Sequence, residues 1–185
     1  QFVYHSGAFM NPLFAAAKQW VREGGRSRIV FTEAEDERVL RAVQAVVDEK
    51  LARPILVGRP AVLEQRIKRY GLRLKLGEDV VVTNPEHDER FHRYWTRYWE
   101  LMCRRGVTKE MARIEMRRRL TLIGAMMVHL GDADGMICGT VSGYREHLRY
   151  IDQVLGKRPG IDSYAAMNIL LLEGRTVALV DTHVN

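Results

Sequence analysis

Apolar positions recur along this chain at two spacings, and the switches between them mark its elements. Residues 1–10 read as a linker or arm, polar-aromatic from Gln1 to Gly7. Asn11 is placed to cap a helix with Pro12 at its first position. Leu13, Phe14, Ala17, Trp20 and Val21 then share one face, and Gly24-Gly25 stops the run. Arg28–Thr32 is β-branched and aromatic and predicts a strand. Glu33–Lys50 predicts a helix with Val39, Leu40, Val43, Val46 and Val47 inward and an acidic, solvated first turn. Arg53–Gly58 predicts a second strand. Pro60 opens a helix carrying Val62, Leu63, Ile67 and Tyr70. Asp79–Asn84 predicts a third strand, whose Val80-Val81-Val82 run suits a strand covered on both faces.

The second half continues the alternation. Pro85–Arg105 predicts a helix dense in Tyr, Trp and Arg, whose aromatics pack while its arginines stay wet. Thr108 starts a long helix, Lys109–Leu130, with Arg113, Arg117, Arg118 and Arg119 as the densest positive patch. Met136–Cys138 predicts a short strand, Gly139–Gly143 a small-residue turn, and Tyr144–Leu155 a helix burying Tyr144, Leu148, Ile151 and Leu155. Ala165–Leu172 and Thr176–Val180 predict two strands joined tightly through Glu173-Gly174-Arg175.

This order implies a layered α/β domain with a largely parallel sheet. In such sheets ligands bind beyond the carboxyl ends of strands, beside helix N-termini. The turn at Gly139 is such a place, where free backbone N–H groups and a helix dipole favour an anion. A tight connection without a ligand is the simpler reading of the local pattern, since no full phosphate or dinucleotide fingerprint is present. The apolar strand before Asn185 has no helix after it, so residues 11–138 are expected to form a first lobe and 139–185 the start of a truncated second one.

Composition changes this picture little. The 185 residues are 46% hydrophobic and 28% charged, which supports a soluble core. A net charge of +6 suits an anionic partner. The cations are scattered without a nucleic-acid motif, so a phosphorylated small molecule is expected and nucleic acid is not. Cys103 and Cys138 have no metal spacing, so no metal site is expected and a reduced, cytoplasmic setting is the default. No stretch suits a membrane span or a signal peptide.

Several separated stretches carry a family resemblance. Arg28-Ile-Val-Phe-Thr-Glu-Ala-Glu-Asp-Glu-Arg-Val-Leu-Arg-Ala resembles the first strand and helix of phosphotransacetylases. Ile123-Gly-Ala-Met-Met-Val-His-Leu-Gly-Asp-Ala-Asp-Gly-Met-Ile-Cys-Gly resembles their segment before the domain junction, and Asp181-Thr-His-Val-Asn their Asp-x-x-Val-Asn-Pro motif. Val3-Tyr-His-Ser-Gly-Ala-Phe-Met-Asn-Pro-Leu-Phe-Ala-Ala-Ala-Lys, Arg104-Arg-Gly-Val-Thr, Cys138-Gly-Thr and Asn168–Leu172 are similar to the phosphotransacetylase-like C-terminal domain of multidomain NADP-dependent malic enzymes.

The resemblance implies a three-layer α/β/α sandwich of the isocitrate/isopropylmalate dehydrogenase-like type, with an incomplete second lobe. It implies an acetyl-CoA site to which Gly139, Thr140, Arg149, Asp181 and Asn185 contribute, with Arg38 structural. Thr32 stands where the transferases show Pro, and Cys138-Gly-Thr-Val-Ser-Gly replaces Ser-Gly-Ala-x-His-Ser/Thr, which removes the His and hydroxyl pattern at Ser142 and Gly143. The family's catalytic Ser-Arg and Asp lie further along, so no catalytic residue is assigned here. What the resemblance implies is a regulatory, acetyl-CoA-sensing and homo-oligomerising fragment. Malate decarboxylation, NADP and a divalent metal would belong to another part of the parent enzyme. The alternative is the first half of a phosphate acetyltransferase.

Overall fold

The structure is a computed structural model that describes residues 2–25, 27–172 and 175–181. Helix α1 spans Phe2–Arg22, β1 Arg28–Phe31, α2 Glu37–Asp48, β2 Arg53–Val57 and α3 Pro60–Arg69. Strand β3 (Val81–Thr83) is followed by α4 (Phe91–Met102), α5 (Lys109–Arg118) and α6 (Leu120–His129). Then come β4 (Gly135–Ile137), α7 (Tyr144–Val154), β5 (Met167–Leu172) and β6 (Arg175–Val180). Among the described residues, no helix is long and apolar enough to cross a membrane.

Strands β3, β2, β1 and β4 form one sheet in that order, and every pairing is parallel. Successive side chains leave a strand on opposite faces. Val30, Ile55 and Val57 therefore join a core with Tyr94, Tyr98, Met116, Ile123, Met126 and Tyr150. Phe31 and Leu56 join the other, with Leu40, Val43, Leu63 and Ile67. Helices α2 and α3 thus cover one face of the sheet, and α4 to α7 the other. Strands β5 and β6 pair antiparallel as a separate two-stranded sheet.

Side chains lock the start of the sheet. Asp134 accepts from the backbone N–H of Arg28 at 2.8 Å and forms an ion pair with its guanidinium at 2.9 Å. That tie joins the entrance of β1 to the entrance of β4. Helix α2 is capped by Asp36, which accepts from the Arg38 N–H at 2.8 Å, and α5 by Thr108, which accepts from Met111 at 3.2 Å.

Three features differ from the sequence expectation. The first helix begins at Phe2 and carries Pro12 inside it, so most of the expected arm is helical. Its apolar residues are not enclosed: Leu13 and Trp20 are 52% and 58% exposed. The single helix expected over 109–130 is two, divided at Arg119, whose backbone is extended (φ −110°, ψ 94°). Helix α5 keeps a wet basic side, whereas every residue from Thr121 to Met127 is buried. One extended residue lets the second segment turn into the core.

Helix α7 is rotated from expectation. It buries His147, Tyr150 and Val154, while Tyr144 and Leu155 are exposed and Leu148 and Ile151 half-buried. The helix has apolar residues on two sides, and α4 and α6 meet the Tyr150 side.

Gly124 on α6 sits where a Cβ would lie 2.5 Å from Thr32 Cγ2. Thr32 is fully buried and β-branched, so it has little room to yield. Gly124→Ala is therefore expected to lower stability by about 1–3 kcal/mol. Pairing it with Thr32→Ser, which deletes the clashing methyl, should recover part of that loss. Urea denaturation of both single variants and the double variant measures the coupling.

Candidate functional site

The parallel register positions the site. Phe31 stands opposite Ile137, and the Thr32 N–H donates to the Ile137 carbonyl at 3.2 Å. Two residues beyond the strand ends, Glu33 faces Gly139. Glu33 is only 8% exposed. Its Oε2 accepts from the N–H groups of Gly139 at 2.9 Å and Thr140 at 2.8 Å, and its Oε1 from Val141 at 3.1 Å.

The backbone needs an unusual shape for this convergence. Gly139 has φ +102°, a region L side chains rarely adopt. Ser142 takes φ +77° without being glycine. The N–H groups that the sequence left free for a ligand are thus held by an internal carboxylate. The acidic stretch after β1 was expected to be a solvated helix start. Instead Glu33 is buried in the turn, Glu35 pairs with Arg59 at 2.9 Å, and only Asp36 caps α2.

His147 fastens the same turn from α7. Its Nε2 lies 2.6 Å from the Val141 carbonyl and its Nδ1 2.7 Å from Thr121 Oγ1. A carbonyl only accepts, so Nε2 carries a proton. In the neutral ring Nδ1 then accepts from the Thr121 hydroxyl. Glu33 Oε1 is 3.6 Å from the same Nε2. Burial, with the Glu33 charge second, pushes the Cys138 thiol up to about 11.

Two cavities flank the buried carboxylate. The smaller, about 130 Å³, is bounded by Glu33, Arg118, Arg119, Thr121, Ser142 and His147. The larger, about 450 Å³, shares Glu33 and Arg118 and adds Glu35, Arg59, Arg66 and Arg117. Arg119 is tied to Glu146 at 2.5 Å.

On the outer side of α7 a third cavity of about 240 Å³ runs past Cys138, Gly139, Leu148 and Ile151 to Tyr164 and Ala165. It shares Tyr144, Leu148 and Tyr164 with a fourth, about 300 Å³, that holds Arg145, Arg149 and Lys157. Together they make a groove that is apolar at the turn and cationic at the far end. Tyr144, Leu148 and Ile151 of the α7 stripe that the sequence assigned to the core line this groove.

The expected site residues distribute as follows. Gly139 borders the groove, and Thr140 adjoins it, its carbonyl accepting from Arg38 at 3.1 Å. Arg149 borders the cationic end, 54% exposed, with its guanidinium stacked 4.6 Å from the Tyr150 ring and bonded to that hydroxyl at 2.6 Å. Asp181 accepts from the Ala166 N–H at 3.0 Å, next to the groove residue Ala165. Asn185 lies outside the described residues. Sequence reasoning missed Glu33, Thr121, His147 and the groove residues Tyr144, Lys157 and Tyr164. Glu33 and His147 are polar residues in short stretches, and only the strand register and the turn of α7 bring them together. Among the described residues no group of three or more His, Cys, Asp or Glu is arranged to hold a metal.

Two measurements test this electrostatic picture. Cys103 is exposed, whereas Cys138 is partly covered and protonated at neutral pH. An aromatic disulfide reagent at mildly alkaline pH should titrate one thiol quickly and the second slowly, and Cys103→Ala should abolish the fast phase. The Arg59 guanidinium holds the Glu35 carboxyl below its usual range. That pairing stabilises the fold above the unfolded-state carboxyl pKa, about 4.3, and its contribution disappears as pH falls through the lower folded value. Arg59→Ala should therefore lower stability slightly at neutral pH and not at all once Glu35 is protonated in both states. Thermal unfolding of the two proteins across acid pH shows whether the gap closes.

Comparison with known proteins places this geometry. The chain is 45% identical over its full length to an NADP-dependent malic enzyme of Escherichia coli (strain K12), covering 24% of that protein. It is 43% identical to an NAD-dependent malic enzyme of Rhizobium meliloti (strain 1021), again over the full chain and 24% of the relative. A phosphate acetyltransferase of Synechocystis sp. (strain ATCC 27184 / PCC 6803 / Kazusa) shares 32% identity over 85% of the chain and 22% of that protein. The chain thus spans about a quarter of the length of these relatives. The crystal structure of a phosphotransacetylase from Streptococcus pyogenes superposes with a TM-score of 0.77 at 24% identity, over 91% of this chain and 50% of that one. The EutD phosphotransacetylase from Staphylococcus aureus superposes at 0.75 and 21% identity, over 89% and 49%. The sequence pattern described as "Phosphate acetyl/butaryl transferase" matches residues 8–185, and the chain belongs to that family.

Proposed function

We propose that these residues are the acetyl-CoA-sensing, regulatory and oligomerising part of a longer NADP-dependent malic enzyme. The observation that carries the ligand is the continuous groove along α7. Arg145, Arg149 and Lys157 at one end suit the phosphates of a coenzyme A thioester, and Tyr144 and Tyr164 offer rings for its adenine. Leu148, Ile151 and Ala165 suit the pantetheine arm, which would bring the thioester to the Gly139 turn. Asp181 and Asn185 are proposed to border the acyl end. On this reading the fold is completed, in the longer chain, as an isocitrate/isopropylmalate dehydrogenase-like sandwich of two lobes. Subunits associate as a homo-oligomer in the cytoplasm. NADP and a divalent metal act in another part of that chain, where malate is oxidatively decarboxylated to pyruvate.

The identity to malic enzymes over the full chain, against 32% over part of it for the transferase, favours this parent. The alternative, the first half of a phosphate acetyltransferase, rests on the family match itself. The turn argues against it, because the His and hydroxyl pattern of the transferases is lost at Ser142 and Gly143. Regulation would follow from unequal affinity of acetyl-CoA for two states of the enzyme.

The test assays the longer protein for malate oxidation with and without acetyl-CoA, and for acetyl transfer to phosphate. A response of malate oxidation without transfer is expected, whereas robust transfer would sink the regulatory reading. Arg149→Ala should weaken the acetyl-CoA response about tenfold, as for loss of one charge-assisted contact, and leave basal malate oxidation unchanged. An unaltered response curve would remove Arg149 from the groove's function.

A further inference from the structure

We propose that Glu115 on α5 is a positioning residue for the groove, holding the Arg149 guanidinium ready for a phosphate at the cationic end. The inference rests on the coenzyme reading of that groove. Arg145, Arg149 and Lys157 line the far end, and they are not held alike. Arg145 reaches the Tyr144 hydroxyl at 3.3 Å, and the Lys157 ammonium lies 5.1 Å from the Tyr164 ring. Arg149 has three holds. It stacks 4.6 Å from the Tyr150 ring, donates to that hydroxyl at 2.6 Å, and lies 3.7 Å from Glu115 Oε1.

Glu115 is itself fixed from behind. Its Oε2 accepts from the hydroxyl of Tyr98, a residue only 1% exposed, at 2.9 Å. Burial, with that hydrogen bond next, pushes the Tyr98 phenol up, so it keeps its proton and donates at neutral pH. One carboxylate thus joins the core to the groove, with one oxygen on the buried phenol and the other facing Arg149. A second ion pair of opposite polarity, Arg119–Glu146 at 2.5 Å, joins the end of α5 to α7. A free arginine side chain samples many rotamers, and fixing it on binding costs affinity. A guanidinium already set against Tyr150 and Glu115 offers its remaining N–H donors to a phosphate oxygen without that cost. The Glu115 charge also repels an anion. Glu115 does not line the cavity, whereas Arg149 does, so that repulsion is weaker than the attraction of the guanidinium it holds.

Titration of the longer protein with acetyl-CoA tests this. Glu115→Gln keeps a side-chain oxygen for Tyr98 and removes only the charge facing Arg149. It should melt like wild type. Its calorimetric Kd for acetyl-CoA, and the concentration giving a half-maximal response of malate oxidation, should rise about threefold to tenfold, with the response at saturation unchanged. A structural role alone would lower the melting temperature or the saturating response instead. In an Arg149→Ala background, Glu115→Gln should change the Kd no further. If Arg149→Ala leaves the Kd at the wild-type value, the coenzyme reading of Arg149 falls and this inference with it. If Arg149→Ala weakens binding, the positioning role alone is overturned by any of three results: Glu115→Gln binds as tightly as wild type or tighter, its loss persists in the Arg149→Ala background, or it does not fold.

Discussion

A carboxylate set into a place with 8% exposure is costly unless hydrogen bonds replace its water. For Glu33 the replacement is the backbone of residues 139–141. The bond is mutual, since three amide groups past the end of β4 would otherwise have no partner in the turn. It joins the exits of β1 and β4 just beyond their last ladder pair, as the Asp134–Arg28 tie joins their entrances. The approach of α7 then follows. Its first turn starts three residues after these amides, and His147 bonds the same loop and Thr121 of α6.

This arrangement decides what the carboxyl end of the sheet offers. In parallel sheets that edge is where ligands meet helix N-termini and free amides. Here the amides are committed internally, and the cavities at that edge are lined by Glu33 together with Arg59, Arg66, Arg117 and Arg118. Helix α7 serves both core and groove because it has two apolar sides. Tyr150 and Val154 close the core, and Leu148 and Ile151 face the groove. Its cations lie near the groove's far end, where Arg149 stacks on Tyr150. The same helix therefore anchors the turn and shapes the surface beside it.

The local rules of helix and strand formation were legible in the residues. Val30, Phe31, Ile55 and Leu56 sit in apolar runs, and their alternation sends neighbours to opposite cores. Thr108 capped its helix as its hydroxyl and position indicated. The break at Arg119 was not legible, because neither Pro nor Gly marks it; the need to enclose residues 121–127 on all sides produces it. The start of the first helix was hidden for the reverse reason, since Pro12 reads as a first-turn residue but lies inside a longer helix.

The sequence by itself determined the α/β order, the parallel strands, the small-residue turn at Gly139 and its family. Each depends on spacing, propensity or motif within a short window. Only the tertiary structure decided what fills that turn. Glu33 and Gly139 are 106 positions apart, and their meeting depends on β1 and β4 pairing with Phe31 opposite Ile137. The same holds for His147 with Thr121 and for the rotation of α7. A helix with two apolar sides is ambiguous alone, and the packing of α4 and α6 against Tyr150 resolves it.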